Sequence, residues 1–330
     1  MGDLQRRQLL RGAGAVLLAG PLVAAAPQAD FAVIGRDLVF PEGPVALDDG
    51  SVVLVEIGRG TLSKVAPNGL VSVVATMGGG PNGAAIGPDG ACYVANDGGL
   101  TIVKNDGRWA ITGVPSTYAG GSIQRVDLAT GAVRTLYTEV DGHQLKGPND
   151  LVFDEFGGFW FTDTGKSYSR TRDHGGLYWA RPDGSEIREI AYPLLTPNGI
   201  ALSPDRRTLY VALSEKRQIV AYEITGPGQL ASVNGAPRMR VVASLGGSES
   251  FDSIAVEAGG NIVVATVLKG CLTVIAPTGE IVSETFFPEI AVTNLAFGGP
   301  DMRTAFVTLS QTGRLVAVRW PRPGLKLLYR

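Results

Sequence analysis

Cysteine is nearly absent: Cys92 and Cys271 are the only two in 330 residues. That excludes a disulfide framework and gives no cysteine-based zinc cluster. Each lies within a strand-like apolar run, where a thiol behaves as a small buried group. His143 and His174 are the only histidines; both fall on expected loops and read as surface residues. The net charge is −2, so no basic excess exists to neutralise nucleic-acid phosphates. No G-x-S-x-G occurs, which removes the strained serine elbow of a Ser-His-Asp hydrolase. Neither cysteine lies near a histidine in sequence, so a cysteine nucleophile has no support. Long apolar runs are missing too: the stretch from Gly12 to Val23 is short of the ~20 residues of a membrane span.

Glycine is plentiful, 45 residues, and 45% of the chain is hydrophobic. Val, Ile, Leu and Thr recur in short runs between turn residues while aromatics stay at 7%, a pattern that favours strands. The length is enough for one large β domain or two smaller ones.

The first 29 residues differ in kind. Arg6-Arg7-Gln8-Leu9-Leu10-Arg11, an apolar stretch and an alanine-rich end look like a bacterial twin-arginine export signal. The motif lacks the usual Ser or Thr before the arginine pair, and Leu stands in place of Phe. Gly12-Ala13-Gly14 has no strand before it and is not read as a nucleotide loop. The expectation is a signal peptide over residues 1–29, a folded domain over 30–330, and delivery to the periplasm without lasting membrane insertion.

The informative feature is a repeat. EGPVALDDGSVVLVEI begins at Glu42, NGAAIGPDGACYVAND at Asn82 and NDLVFDEFGGFWFTDT at Asn149. NGIALSPDRRTLYVAL begins at Asn198, DSIAVEAGGNIVVATV at Asp252 and TNLAFGGPDMRTAFVTL at Thr293. Each is an apolar run, a Gly-, Asp- or Pro-rich turn and a second run, and most are followed by an outer pair. Four strands per unit is one propeller blade, and the openings stand about 40, 67, 49, 54 and 41 residues apart, near the ~40–50 of propeller repeats. The longest gap holds Asp106 to Gly121, expected to overhang one face. A solenoid would share the period but would need polar caps, which are not found. The expectation is an all-β, six-bladed β-propeller, with FAVIGRDLVF (residues 31–40) pairing outside Arg314 to Trp320 to close the ring and remove the exposed edges.

The innermost strand of a blade runs along the central channel, so its opening residue sits at one mouth, once per blade. The aligned openings are Glu42, Asn82, Asn149, Asn198, Asp252 and Thr293, all oxygen donors. Pro-Asn-Gly and Pro-Asn-Asp are turn formers, and any single copy reads as a turn. A turn requirement would not choose Glu42, so register across the copies points to a shared site. Oxygen donors in this number suit calcium; no His or Cys joins them, which makes zinc and copper poor matches. Magnesium and manganese remain open. Thr293 reads as channel lining, Asn82 as lining or contact, Asp150 as a neighbour of the ring or a strand-start cap. Asp97 and Asp163, which end second strands, read as turn residues.

With FPEGP at 40–44, GPND at 147–150, TPNG at 196–199, FDSIAVEAGGNI at 251–262 and TNLAFGG at 293–299, the chain resembles the gluconolactonase/regucalcin (senescence-marker-protein) family of six-bladed propellers over about residues 31–320. The resemblance implies one divalent cation, most readily Ca2+ with Mg2+, Mn2+ or Zn2+ as alternatives, held by Glu42, Asn198 and Asp252. It makes Asn149 a ligand or a substrate contact. It implies a small-molecule lactone substrate, with Asp252 as catalytic base or nucleophile and Asn149, Asn82 and Lys146 as candidate substrate contacts. Two departures bear on the sugar: Gly147, preceded by Lys146, stands where sugar-lactone enzymes can carry an arginine, and the fifth-blade Asp-Gly is Asp252-Ser253. A phosphotriesterase-like hydrolase and a non-enzymatic, calcium-stabilised ligand-binding propeller are the competing readings.

Overall fold

The structure, a computed structural model, describes residues 28–330. The expected export segment therefore lies outside the described residues, save Gln28 and Ala29. These two already join the fold: Gln28 bridges to Phe286, and the Ala29 N–H donates to the Phe286 carbonyl at 2.7 Å. Among the described residues there is no helix, and hence none long and apolar enough to cross a membrane.

Six antiparallel sheets follow one another as blades, each with four main strands, and blade 4 adds a short fifth, Gln229–Leu230, against its third. Blade 1 comprises Pro41–Ala46, Val52–Glu56, Thr61–Val65 and Val71–Thr76, and blade 2 comprises Pro81–Ile86, Cys92–Asn96, Ser122–Val126 and Val133–Tyr137. Blade 3 is Pro148–Phe153, Phe159–Asp163, Gly175–Ala180 and Ile187–Leu194; blade 4 is Pro197–Leu202, Thr208–Leu213, Gln218–Gly226 and Met239–Ser244. Blade 5 is Ser250–Val256, Ile262–Val267, Cys271–Ile275 and Ile281–Phe286. Blade 6 takes Val292–Gly298, Thr304–Leu309 and Arg314–Arg319 from the end of the chain and its outer strand, Phe31–Gly35, from the beginning. The expected closure is thus made, although only five of the ten residues of FAVIGRDLVF form the strand.

Blades are two-faced sheets, and their apolar faces meet between neighbours. The six core clusters lie one to each blade interface, from Val45, Val53, Ile86 and Val94 between blades 1 and 2 to Leu38, Leu54 and Leu315 between blades 6 and 1. Middle strands are buried throughout, as in Phe159–Asp163, while outer strands such as Val71–Thr76 are largely in solvent. Both cysteines are middle-strand core residues, and burial pushes the Cys92 thiol up to about 12.

Two features were not legible in the repeat. Residues 98–121 contain a hairpin, Thr101–Asn105 with Arg108–Gly113, so the overhang is partly ordered sheet and begins earlier than expected. The segment after Trp320 crosses the channel's far end: the Ala258 N–H donates to the Pro323 carbonyl (2.9 Å) and the Leu325 N–H to the Val256 carbonyl (2.8 Å). Tyr329 then packs edge-on to Phe153 with ring centroids 5.6 Å apart. Together with the inner-strand ends these residues line a largely apolar cavity of about 120 Å³.

Candidate metal centre and active site

Four of the six inner strands open with proline, at Pro41, Pro81, Pro148 and Pro197. An inner strand has no partner on its channel side, and a strand's first position tolerates proline's missing N–H. The next residue is the ring position. There every blade's pairing with its second strand slips, between Glu42 and Val45, Pro81 and Gly83, Pro148 and Leu151, Pro197 and Ile200, Phe251 and Ile254, and Val292 and Asn294. A bulge of this kind re-aims a side chain. It turns the ring residue out of the sheet's alternation, toward the mouth.

The residue after each ring position explains the recurrent Asn-Gly. A Cβ at Gly43 would stand 2.8 Å from the Asn82 carbonyl oxygen and the Ala84 nitrogen, and one at Gly199 would stand 2.5–2.6 Å from the Asp252 oxygen, Ser253 Cα and Ile254 nitrogen. Gly83 makes the same approach to Asn149 and Asp150. Glycine therefore lets adjacent inner strands close around the axis. In blades 3, 5 and 6 the position instead carries Asp150, Ser253 and Asn294, which form a polar layer below the ring.

Glu42 is buried, and its Oε2 accepts from Asn294 Nδ2 at 3.0 Å and from the Gly43 N–H at 3.1 Å. Burial pushes its carboxyl up to about 7 despite the lowering effect of Thr293, Asn294 and Gly43. Asp252 keeps some surface at the mouth; desolvation first and the Glu42 charge second raise it well above the usual carboxylate range, opposed by the Asn198 amide. Asp150 is buried, accepts its neighbour Leu151's N–H at 2.9 Å and is pushed up to about 7 by burial, with Glu42 adding to the shift. Asn149 Oδ1 and Asn198 Oδ1 are buried atoms without a hydrogen-bond partner. Orphaned carbonyl oxygens and carboxylates held above their ordinary range share one remedy: a cation among them.

The donor set fits a hard divalent ion. The described residues gather no three His, Cys, Asp or Glu side chains into a metal cluster. The set at the mouth is instead two carboxylates, Glu42 and Asp252, with the Asn149 and Asn198 amide oxygens, the oxygen chemistry that calcium takes.

The other expected site residues fall as follows. Thr293 is buried and shares its hydroxyl with Thr308 (3.0 Å) and Ser310 (2.5 Å), which makes it channel lining. Thr293 and its neighbour Asn294 both act on Glu42, and of the two the alignment singled out Thr293 alone. Asn82 stays half-buried, with its amide nitrogen 3.5 Å from Asp97 Oδ2. Lys146 is at the mouth; its N–H donates to Asp163 Oδ2 (2.7 Å) and its carbonyl accepts from Tyr118 Oη (2.6 Å). Asp163 is the turn residue expected, accepting three backbone N–H groups, from Lys146, Gly147 and Gly165. Asp97 is more than that, because it pairs at 3.1 Å with Lys166, a lysine buried between blades 2 and 3 that sequence reasoning passed over. His143 is exposed and His174 packs edge-on to Tyr192.

A six-bladed propeller carrying oxygen donors at one channel mouth defines a structural class. Within it, the family model "SMP-30/Gluconolactonase/LRE-like region" matches residues 40–311, and the chain belongs to that family. Similar curated proteins include a gluconolactonase of Zymomonas mobilis, 26% identical over 312 residues that cover 84% of this chain and 78% of that one. A lactonase drp35 of Staphylococcus saprophyticus is 27% identical over 186 residues, covering 56% of this chain and 55% of its own length. Among solved structures, a gluconolactonase from Xanthomonas campestris superposes with TM-score 0.69 at 23% identity, covering 89% of this chain and 90% of that chain. The calcium-binding protein regucalcin from Agrobacterium tumefaciens does so with TM-score 0.68 at 19% identity, covering 91% and 98%. At those identities the structural likeness establishes the six-bladed fold.

Proposed function

We propose that the chain is a divalent-metal-dependent lactonase that opens a lactone ring to a hydroxy acid. Lactone hydrolysis follows from family membership and from the gluconolactonase and lactonase relatives. Metal dependence is supported by one observation above the rest: Asn149 Oδ1 and Asn198 Oδ1 lie buried and unpartnered in the same ring as Glu42 and Asp252. Glu42, Asn149, Asn198 and Asp252 would hold the ion, with calcium the best match to all-oxygen donors. When bound, such an ion polarises the lactone carbonyl and offsets the charge that develops on its oxygen.

The protein's own residues divide the remaining work. Glu42 is committed, because Asn294 and Gly43 occupy its Oε2. Asp252 keeps surface toward the mouth and has only the Asn198 amide lowering its proton affinity. It is therefore the carboxylate suited to take a proton from water, or to attack the carbonyl directly. Asn82 and Lys146 border the mouth as substrate contacts. The arginine pair and apolar stretch at the N-terminus support export to the periplasm.

The test is a panel of lactones, with an aryl phosphotriester beside them, assayed by acid release after chelation and after adding back calcium, magnesium, manganese or zinc. Lactone turnover that disappears on chelation and returns with calcium is expected. Turnover indifferent to chelation would overturn the metal role. Turnover of the phosphotriester alone, or of nothing, would overturn the lactonase reading.

A further inference from the structure

The loops around the mouth are unequal. Blades 4 and 5 join their second and third strands by short loops, Ser214–Arg217 and Leu268–Gly270, whereas blade 2 uses the whole of residues 97–121. That insertion is tied across the mouth at both ends. At its far end the Trp109 N–H donates to the Gln311 carbonyl (2.8 Å) and Trp109 Nε1 to the Leu38 carbonyl (3.1 Å), at the junction of blades 6 and 1. At its root, Lys166 of blade 3 donates from Nζ to the Gly99 carbonyl (3.0 Å), pairs with Asp97 and lies 5.3 Å from the Tyr118 ring centre. Gln144 Nε2 holds the Ala119 carbonyl at 2.7 Å, and the Gly121 N–H donates to the Leu145 carbonyl at 2.8 Å. The insertion is thus a fixed wall from blade 6 to blade 3. Of the four candidate ligands, Glu42 and Asn149 on the walled side are buried, while Asn198 and Asp252 on the other keep surface.

On the uncrossed side the blade 4 loop is polar, Ser214 to Arg217, while blade 5 and the approach to blade 6 expose two aliphatic side chains, Leu268 and Ile290. Leu268 follows strand Ile262–Val267, whose Val267 pairs with Ser250, two residues before Asp252, so it emerges at the mouth. Ile290 stands two residues before the inner strand of blade 6, and its carbonyl accepts the Leu268 N–H at 2.8 Å. Leu268 is 56% exposed and Ile290 45%. Leu268 also has a φ of 68°, a left-handed conformation disfavoured for a bulky residue. A strained, solvent-exposed leucine gains nothing from packing, so stability does not select it there; strain of this kind concentrates at binding sites.

Resting on the lactonase reading, we propose that the substrate enters over blades 4 and 5 and is a lactone with an apolar alkyl arm, carried by Leu268 and Ile290, in preference to a polyhydroxylated lactone. The wall spans the side from blade 6 to blade 3, so the arm is placed on the side it does not cross. A flexible alkyl arm matches a pair of aliphatic side chains, which offer a hydroxylated one no hydrogen bond.

Three lactones of one ring size serve as probes on the calcium-loaded full chain: unsubstituted, bearing a single five-carbon alkyl arm, and polyhydroxylated. The alkyl lactone is expected to show the highest kcat/KM. Leu268→Gly removes the side chain and relieves the strained φ. It should lose at least ~10-fold in kcat/KM on the alkyl lactone, keep its rate on the unsubstituted one, and melt no lower than wild type. Replacing residues 102–112 by a short glycine linker should admit a lactone with arms on both sides that wild type rejects. Preference for the polyhydroxylated lactone, or an equal loss on all lactones in Leu268→Gly, overturns the proposal. If no lactone turns over, the lactonase reading fails by itself, and binding of the alkyl lactone decides the apolar site. Saturable binding by wild type that Leu268→Gly lacks supports it, and its absence in both overturns it.

Discussion

Gly199→Ala adds one methyl group at a position whose backbone accepts alanine, so any effect comes from contact and not from φ. That methyl carbon would stand 2.6 Å from Ser253 Cα and the Ile254 nitrogen, where ordinary contact begins at 3.4 Å, so the inner strands of blades 4 and 5 must part by about 0.8 Å. Asn198 rides on one strand and Asp252 on the other. Metal–oxygen distances tolerate only about 0.2 Å, so the pair would no longer serve one ion well. Overpacking by one methyl destabilises by about 1–3 kcal/mol. Displaced ligands should weaken calcium by roughly 10–100-fold, the range seen when groups supporting a metal site are altered. Calcium at 100 times Kd stabilises the folded form by about 2.7 kcal/mol, and a tenfold weaker site forfeits about half of that. The assay is thermal melting with and without calcium, beside calorimetric titration of the metal. Gly259→Ala is the control, because nothing lies within 4 Å of its added carbon. A Gly199→Ala protein with wild-type calcium affinity and an unchanged melting temperature would refute the close-approach account of the Asn-Gly repeat.

Asp252→Asn keeps an oxygen ligand but removes the proton acceptor, and kcat at saturating calcium should fall by ~10²–10⁴-fold; near-equal kcat would reduce Asp252 to a ligand. Chelated protein should become more stable as pH drops from 7.5 to 5.5. Glu42 and Asp150, pushed up to about 7, then take up protons in the folded state that the unfolded chain, with values of 4.5 and 3.8, does not. Calcium should abolish that trend, and chelated protein that instead melts lower at pH 5.5 would contradict the buried-carboxylate picture. Replacing Arg6 and Arg7 by lysine should strand the protein in the cytoplasm, as read by cell fractionation; undiminished export would refute the twin-arginine assignment.

The blade count, the order of strands and the closing strand were legible because each rests on local chemistry repeated six times. Alternating apolar runs make strands, Gly-Asp-Pro turns end them, and the period counts the blades. The ring was legible for the same reason: a slot that holds Glu42 in one copy and Asn198 or Asp252 in others is not chosen by a turn. Where the register carried an irregularity, the reading slipped. In blade 6 Asn294 joins Thr293 in holding Glu42, a second contact that an alignment of single positions does not assign. Asp150, read as a neighbour of the ring or a strand-start cap, is a buried acid whose proton affinity the Glu42 charge raises.

By itself the sequence determined the six-fold β architecture and which residues open the six inner strands, because strand propensity, turn chemistry and register are properties of short segments. The tertiary structure decided what those residues face. Lys166 meets Asp97 across two blades, Trp109 reaches Leu38 and Gln311, and Tyr329 packs on Phe153. Each of these contacts joins residues far apart in the chain that no repeat aligns, and only closure of the ring brings them together.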